Sequence, residues 1–83
     1  MTGKEFREMR MLWGIGLSEM QLLLGINSLG SYRNYENRTD SKGRSKEIPL
    51  IMNIFFNYVN RYGLEKTKLE FYREFKVQKC LEI

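Results

Sequence analysis

Residues Ile15 to Glu36 read IGLSEMQLLLGINSLGSYRNYE, two short helical patterns separated by a Gly-containing turn. Met20, Leu23 and Leu24 share one face of a helix that starts near Leu17 and ends before Gly25. Gly25 is the stop, because it enters the left-handed region at no steric cost. Ile26 then plugs the turn, and Asn27 or Ser28 caps a second helix running to about Asn37. On that helix Tyr32 and Tyr35 are expected to face inward. Leu29, Gly30, Arg33 and Asn34 are expected to face outward as a reading surface.

Upstream, Thr2 and Glu5 form a T-x-x-E capping box. The helix it opens buries Phe6, Met9 and Trp13 with Leu12 at their flank, leaves Arg7 and Arg10 on or near the exposed side, and ends at Gly14 and Gly16. Gly14-Ile15-Gly16 lacks the third glycine and the preceding strand of a nucleotide-binding loop, so it reads as a terminator. Downstream, Arg38 to Lys46 (RTDSKGRSK) holds turn formers and no apolar residue. It reads as a loop that can be disordered without DNA.

Pro49 and Gly63 bracket the strongest helical pattern in the chain, in which Leu50, Ile51, Ile54, Phe55, Tyr58, Val59 and Tyr62 recur at three- and four-residue intervals. Met52 and Phe56 widen this apolar face beyond what a four-helix domain must hide, which suits a second surface such as a dimer contact. In the tail, Leu69, Tyr72 and Phe75 have helical spacing, whereas Phe75, Val77, Lys79, Leu81 and Ile83 alternate like a strand. A helix to about Gln78 followed by an extended end is expected. The fold class is therefore all-α, a compact four- to five-helix bundle containing a helix-turn-helix, with a domain over 1–63 and a C-terminal extension over 64–83 for dimerisation or partner binding.

The 83 residues, 42% of them hydrophobic, support one small core. A single Cys forms no internal disulfide, no 18-residue apolar run is present, and the N-terminus is charged, so a cytoplasmic protein with no membrane partner is expected. The net charge of +4 is unevenly spread. Residues 28–46 carry five basic and two acidic side chains, and a polyanion is the partner that suits them. Enzymatic chemistry is not expected: there is no His, no carboxylate pair on an apolar-walled face and no cofactor motif. No metal is expected either, since a zinc site would need carboxylates almost alone.

With these residues in view, the chain resembles the lambda-repressor/Cro-like (XRE-like) helix-turn-helix family, small phage and plasmid regulators in particular. The resemblance covers roughly residues 2–63. It rests on EFREMR (Glu5 to Arg10), LLGI (Leu23 to Ile26), SYRNYEN (Ser31 to Asn37) and the IP pair (Ile48, Pro49) that opens a later helix. Ser31 matches a position that is usually Thr or Ser, Tyr32 an apolar one, and Tyr35-Glu36 a common aromatic-Glu pair. Where the family commonly has Ser then Gln opening the helix before the turn, this chain has Gly16 and Leu17. The turn from Gly25 to Ser31 is also one residue longer than the pattern.

The resemblance implies a transcriptional regulator, most simply a repressor, that binds double-stranded DNA as a homodimer and lays the second helix in the major groove. Arg33 and Asn34 are the side chains suited to guanine and adenine edges. Leu29 can touch only a thymine methyl, and Gly30 reads nothing directly. Ser28, Ser31, Arg38, Lys42, Arg44 and Lys46 are expected on the DNA backbone. The alternative is a helix-turn-helix scaffold or antitoxin-like regulator that binds a protein partner through Met52, Phe56 and the C-terminal aromatics.

Overall fold

Five helices account for most of the chain, and each boundary has a local cause. The structure, a computed structural model, describes the backbone of residues 1–81 and the side chains of residues 1–73. Helix α1 spans Gly3–Leu12, α2 Leu17–Leu23, α3 Leu29–Asn37, α4 Leu50–Tyr62 and α5 Leu64–Leu81. Thr2 and Glu5 complete the expected capping box of α1. At its other end Gly14 takes a φ of 71°, while Gly14 N–H and Ile15 N–H donate to the carbonyls of Met11 and Arg10 at 3.0 and 3.1 Å. The same Schellman closure ends α2, where Gly25 has a φ of 68° and Ile26 N–H donates to the Gln21 carbonyl at 3.1 Å.

The core is built from Phe6 of α1, Met20 and Leu23 of α2, Tyr32 of α3, Met52 and Phe55 of α4 and Phe71 of α5, with Ile15, Leu24 and Ile48 from the connections. Trp13 seals one side, its ring 5.8 Å from Phe6 and 5.5 Å from Phe55. Burying each such side chain contributes about 1.5 to 3 kcal/mol before chain entropy is set against it. The domain is therefore all-α, a small bundle. Among the described residues no helix is long and apolar enough to cross a membrane.

Several expected faces are rotated. The fully buried residues of α4 are Phe55, from the expected stripe, and Met52, with Ile51, Ile54 and Val59 half-buried against the core. Leu50, Tyr58 and Tyr62 are exposed. Leu12 is 79% exposed and flanks nothing. In α5 the inward residues are Thr67 and Phe71, whereas Leu69 is 67% exposed. Tyr72 packs beside them, half-buried, its hydroxyl donating to Glu19 Oε2 at 3.2 Å, because α5 docks onto both α2 and α4. The helix also continues through Leu81, past the extended end expected after Gln78. Phe75 and Val77 lie outside the described side chains, and Ile83 outside the described residues.

The segment 38–46 forms the loop expected from its turn formers, closed by its own backbone bonds. Thr39 and Ser45 form an antiparallel bridge, and Lys46 N–H donates to the Arg38 carbonyl at 3.0 Å. Inside the turn the Asp40 carboxylate accepts the N–H groups of Lys42 and Arg44 at 2.8 and 3.0 Å. These bonds hold its pKa below the ordinary carboxylate value. The chain then pairs with the N-terminus: Gly3 N–H donates to the Lys46 carbonyl, Ile48 N–H to that of Met1, and the Met1 ammonium meets Glu47 at 2.9 Å.

Candidate nucleic-acid interface

The turn between α2 and α3 is tied at both ends. The Gln21 amide donates to the Ile26 carbonyl at 2.6 Å, and Ser28 Oγ accepts the Ser31 N–H at 3.1 Å. Ser28 is thus the N-cap of α3, which decides between it and Asn27. Its hydroxyl also donates to Ser31 Oγ at 3.0 Å, so both hydroxyls expected on the DNA backbone already serve the cap.

The inner side of α3 is held by a buried polar cluster that periodicity alone did not reveal. Arg10, expected on or near the exposed side of α1, is buried. Its Nε and NH2 donate to the two Glu36 carboxylate oxygens at 2.7 and 3.3 Å, and its NH1 donates to the Ile15 carbonyl at 2.9 Å. Tyr32 Oη donates a very short hydrogen bond to Glu36 Oε2. Burial works against the Arg10 charge, but the Glu36 hydrogen bond and charge outweigh it and raise the pKa. Burial, then the Glu36 hydrogen bond and charge, push the Tyr32 hydroxyl far above its ordinary value and keep it a donor. One guanidinium thereby joins α1, the α1–α2 link and α3.

Gly3 sets a second contact. A Cβ at this position would lie 2.5 Å from the carbonyl oxygens of both Tyr35 and Glu36, so the start of α1 sits directly on the end of α3. This contact orients α3 with backbone against backbone. Nothing in the local sequence pattern announces it.

With Tyr32 and Glu36 turned inward, α3 exposes Gly30, Ser31, Arg33, Asn34 and Asn37. Gly30, Arg33 and Asn34 are as solvent-facing as expected. Leu29 is only half-exposed, since it lies between the outer and inner faces, and Tyr35 is half-buried. Arg38 follows the helix directly as its C-cap, and the turn brings Lys46 back beside it through the 3.0 Å backbone bond. Arg38, Lys42, Arg44 and Lys46 are all exposed. Arg44 is partly committed, its Nε 3.1 Å from Asp40 Oδ2.

The buried pair changes the electrostatics of this surface. Glu36 is spent on Arg10 in the interior, so the accessible part of 28–46 presents five basic side chains and one acidic, Asp40. The local positive field is stronger than the sequence count implies. Lys4 joins it from outside the predicted set: its N–H donates to Ser45 Oγ at 3.0 Å, and its side chain is exposed. Only tertiary pairing of the N-terminus with residues 45–48 brings Lys4 there, and sequence spacing carries no sign of it. Chemically the surface offers donors and positive charge beside a helix face with a polar centre. That combination suits phosphates and base edges.

The chain matches no family model, no curated protein and no solved structure, so the reading of this surface rests on its own residues and geometry.

Proposed function

We propose that this chain is a sequence-reading regulator of the lambda-repressor/Cro-like kind that binds double-stranded DNA, most simply as a repressor. The observation that supports the reading best is the α2–turn–α3 unit. Its inner side is fixed by Arg10, Tyr32 and Glu36, while Arg33 and Asn34 stand outward next to the basic turn. In this reading α3 enters the major groove, Arg33 and Asn34 take base edges, and Arg38, Lys42, Lys46 and Lys4 meet phosphates. A cytoplasmic homodimer on a two-fold symmetric site completes it.

The contact types separate by mutation. Arg33→Ala should weaken binding to the preferred duplex by about 1 to 3 kcal/mol and relax preference at one base pair. Lys42→Ala with Arg44→Ala should weaken binding to all duplexes. It should also flatten the dependence of log affinity on log salt by about one to two units, less for Arg44 because Asp40 already engages it. Fluorescence anisotropy over a salt series reads both effects. Unchanged affinity in both variants would remove this surface from consideration.

The second reading, a protein-interaction or antitoxin-like module, is favoured by the outward side of α4 and α5. There the Tyr58 and Tyr62 rings pack tilted at 5.4 Å with the Lys66 ammonium over Tyr62 at 5.6 Å, whereas Met52, expected on this surface, is fully buried and Phe56 half-buried. A chain that selects no duplex but captures a protein through this face would follow that reading.

A further inference from the structure

Gly30 is the residue of the outer face of α3 that works most against the helix carrying it. It is the second residue of α3, where glycine is less stabilising than alanine because it loses more backbone freedom on folding. Its backbone gives no reason for glycine: the positive φ values belong to Gly14, Gly25, Gly43 and Gly63. Packing gives none either, since a Cβ at Gly30 would meet nothing within 4 Å. Gly3 makes the contrast, because there an added Cβ would strike two carbonyl oxygens.

The missing methyl group therefore leaves a shallow notch, floored by helix backbone, in the face proposed above to read DNA. Arg33 and Asn34 follow one helical turn later, at i+3 and i+4, and rise beside it. Half-exposed Leu29 precedes it and supplies an apolar edge. Recognition helices address base edges with their N-terminal residues, which is where Gly30 lies. In the major groove the apolar projection of a base pair is the C5-methyl of thymine.

We infer that Gly30 is a specificity-determining position whose notch admits the C5-methyl of one thymine, while Arg33 and Asn34 hydrogen-bond neighbouring bases. The inference rests on the DNA-binding reading and adds a particular base to it. A side chain at position 30 would fill the space that the methyl occupies and hold the helix out of the groove.

The test uses a short duplex selected from random sequence by the full wild-type chain, with each thymine replaced in turn by deoxyuridine, which lacks the methyl. Gly30→Ala should raise Tm by roughly 2 to 8 °C, since the fold tolerates the Cβ and the helix gains from it. The same variant should lose about tenfold or more in affinity for the thymine duplex, the cost of overpacking a close contact. At one position, deoxyuridine should restore Gly30→Ala to within a few-fold of the wild-type chain. Wild-type affinity in Gly30→Ala, a lowered Tm, or a loss that no deoxyuridine relieves would each overturn the notch. Arg33→Ala separates the two levels of the argument: if it loses affinity while Gly30→Ala does not, DNA reading stands and the notch falls. A wild-type chain that selects no duplex overturns both.

Discussion

Replacing Glu36 by Ala should cost the domain about 3 to 5 kcal/mol, because it strands the Arg10 guanidinium in the interior without its counter-charge. The carboxylate accepts two bonds from Arg10 and one from Tyr32, so its removal leaves three donors unsatisfied at once. For a chain of this length, whose whole stability is about 4 to 12 kcal/mol, that loss takes a large share. Thermal and urea unfolding followed by circular dichroism should show Tm lowered by more than about 10 °C. Replacing both partners by apolar residues, Arg10→Met with Glu36→Leu, should recover most of the stability, since the penalty comes from an unpaired buried charge. A loss below about 1 kcal/mol in Glu36→Ala would mean that water reaches the pair and that it does not hold α3.

Phe55→Ala should cost a similar 3 to 5 kcal/mol by opening a cavity at the centre of the bundle. Phe55 is fully buried, with its ring 5.5 Å from Trp13 and 4.9 Å edge-on from Phe71. Its removal loosens α1 and α5 together. Trp13 is the single tryptophan of the chain, so its emission should shift to longer wavelength as water enters. Leu50→Ala is the matching control on the same helix: Leu50 is 74% exposed, and its loss should change stability by no more than about 0.5 kcal/mol. Equal effects of the two substitutions would mean that α4 packs through Leu50 as much as through Phe55.

What the sequence made legible was local. The capping box at Thr2 and Glu5, the left-handed stop at Gly25, the cap before α3 and the Pro49–Gly63 bracket each depend on a few adjacent residues. The outward set Gly30, Arg33 and Asn34 was equally legible, because the inward Tyr32 fixes the helix phase. Arg10 was misread for a physical reason. Periodicity counts arginine as polar, and its burial depends on a carboxylate 26 residues away that no local pattern connects to it. The turn at 38–46 was legible as a loop from its Asp, Ser and Gly residues, but not the bonds that Asp40 makes inside it or the N-terminus pairing alongside.

On α4 the obstacle was an excess of signal. Apolar residues surround much of that helix, and only the positions of α1 and α5 choose Met52 and Phe55 over Leu50 and Tyr62. The close approach of Gly3 to α3 belongs to the same class, a contact between elements distant in sequence. The outer face of α3 is thus held by contacts that its own sequence does not contain. If α3 reads DNA as proposed above, substitutions at Arg10, Gly3 and Glu36 should weaken that binding without touching DNA.

Binding to labelled duplex at two salt concentrations decides whether this surface reads a DNA sequence as proposed. The comparison sets DNA from upstream of the chain's own gene against a scrambled duplex of the same composition. A DNA-reading chain should bind the native duplex tightly and the scrambled one much more weakly, with a steep loss of affinity for both as salt rises. Equal weak binding to the two duplexes, or no binding at low salt, would contradict that reading.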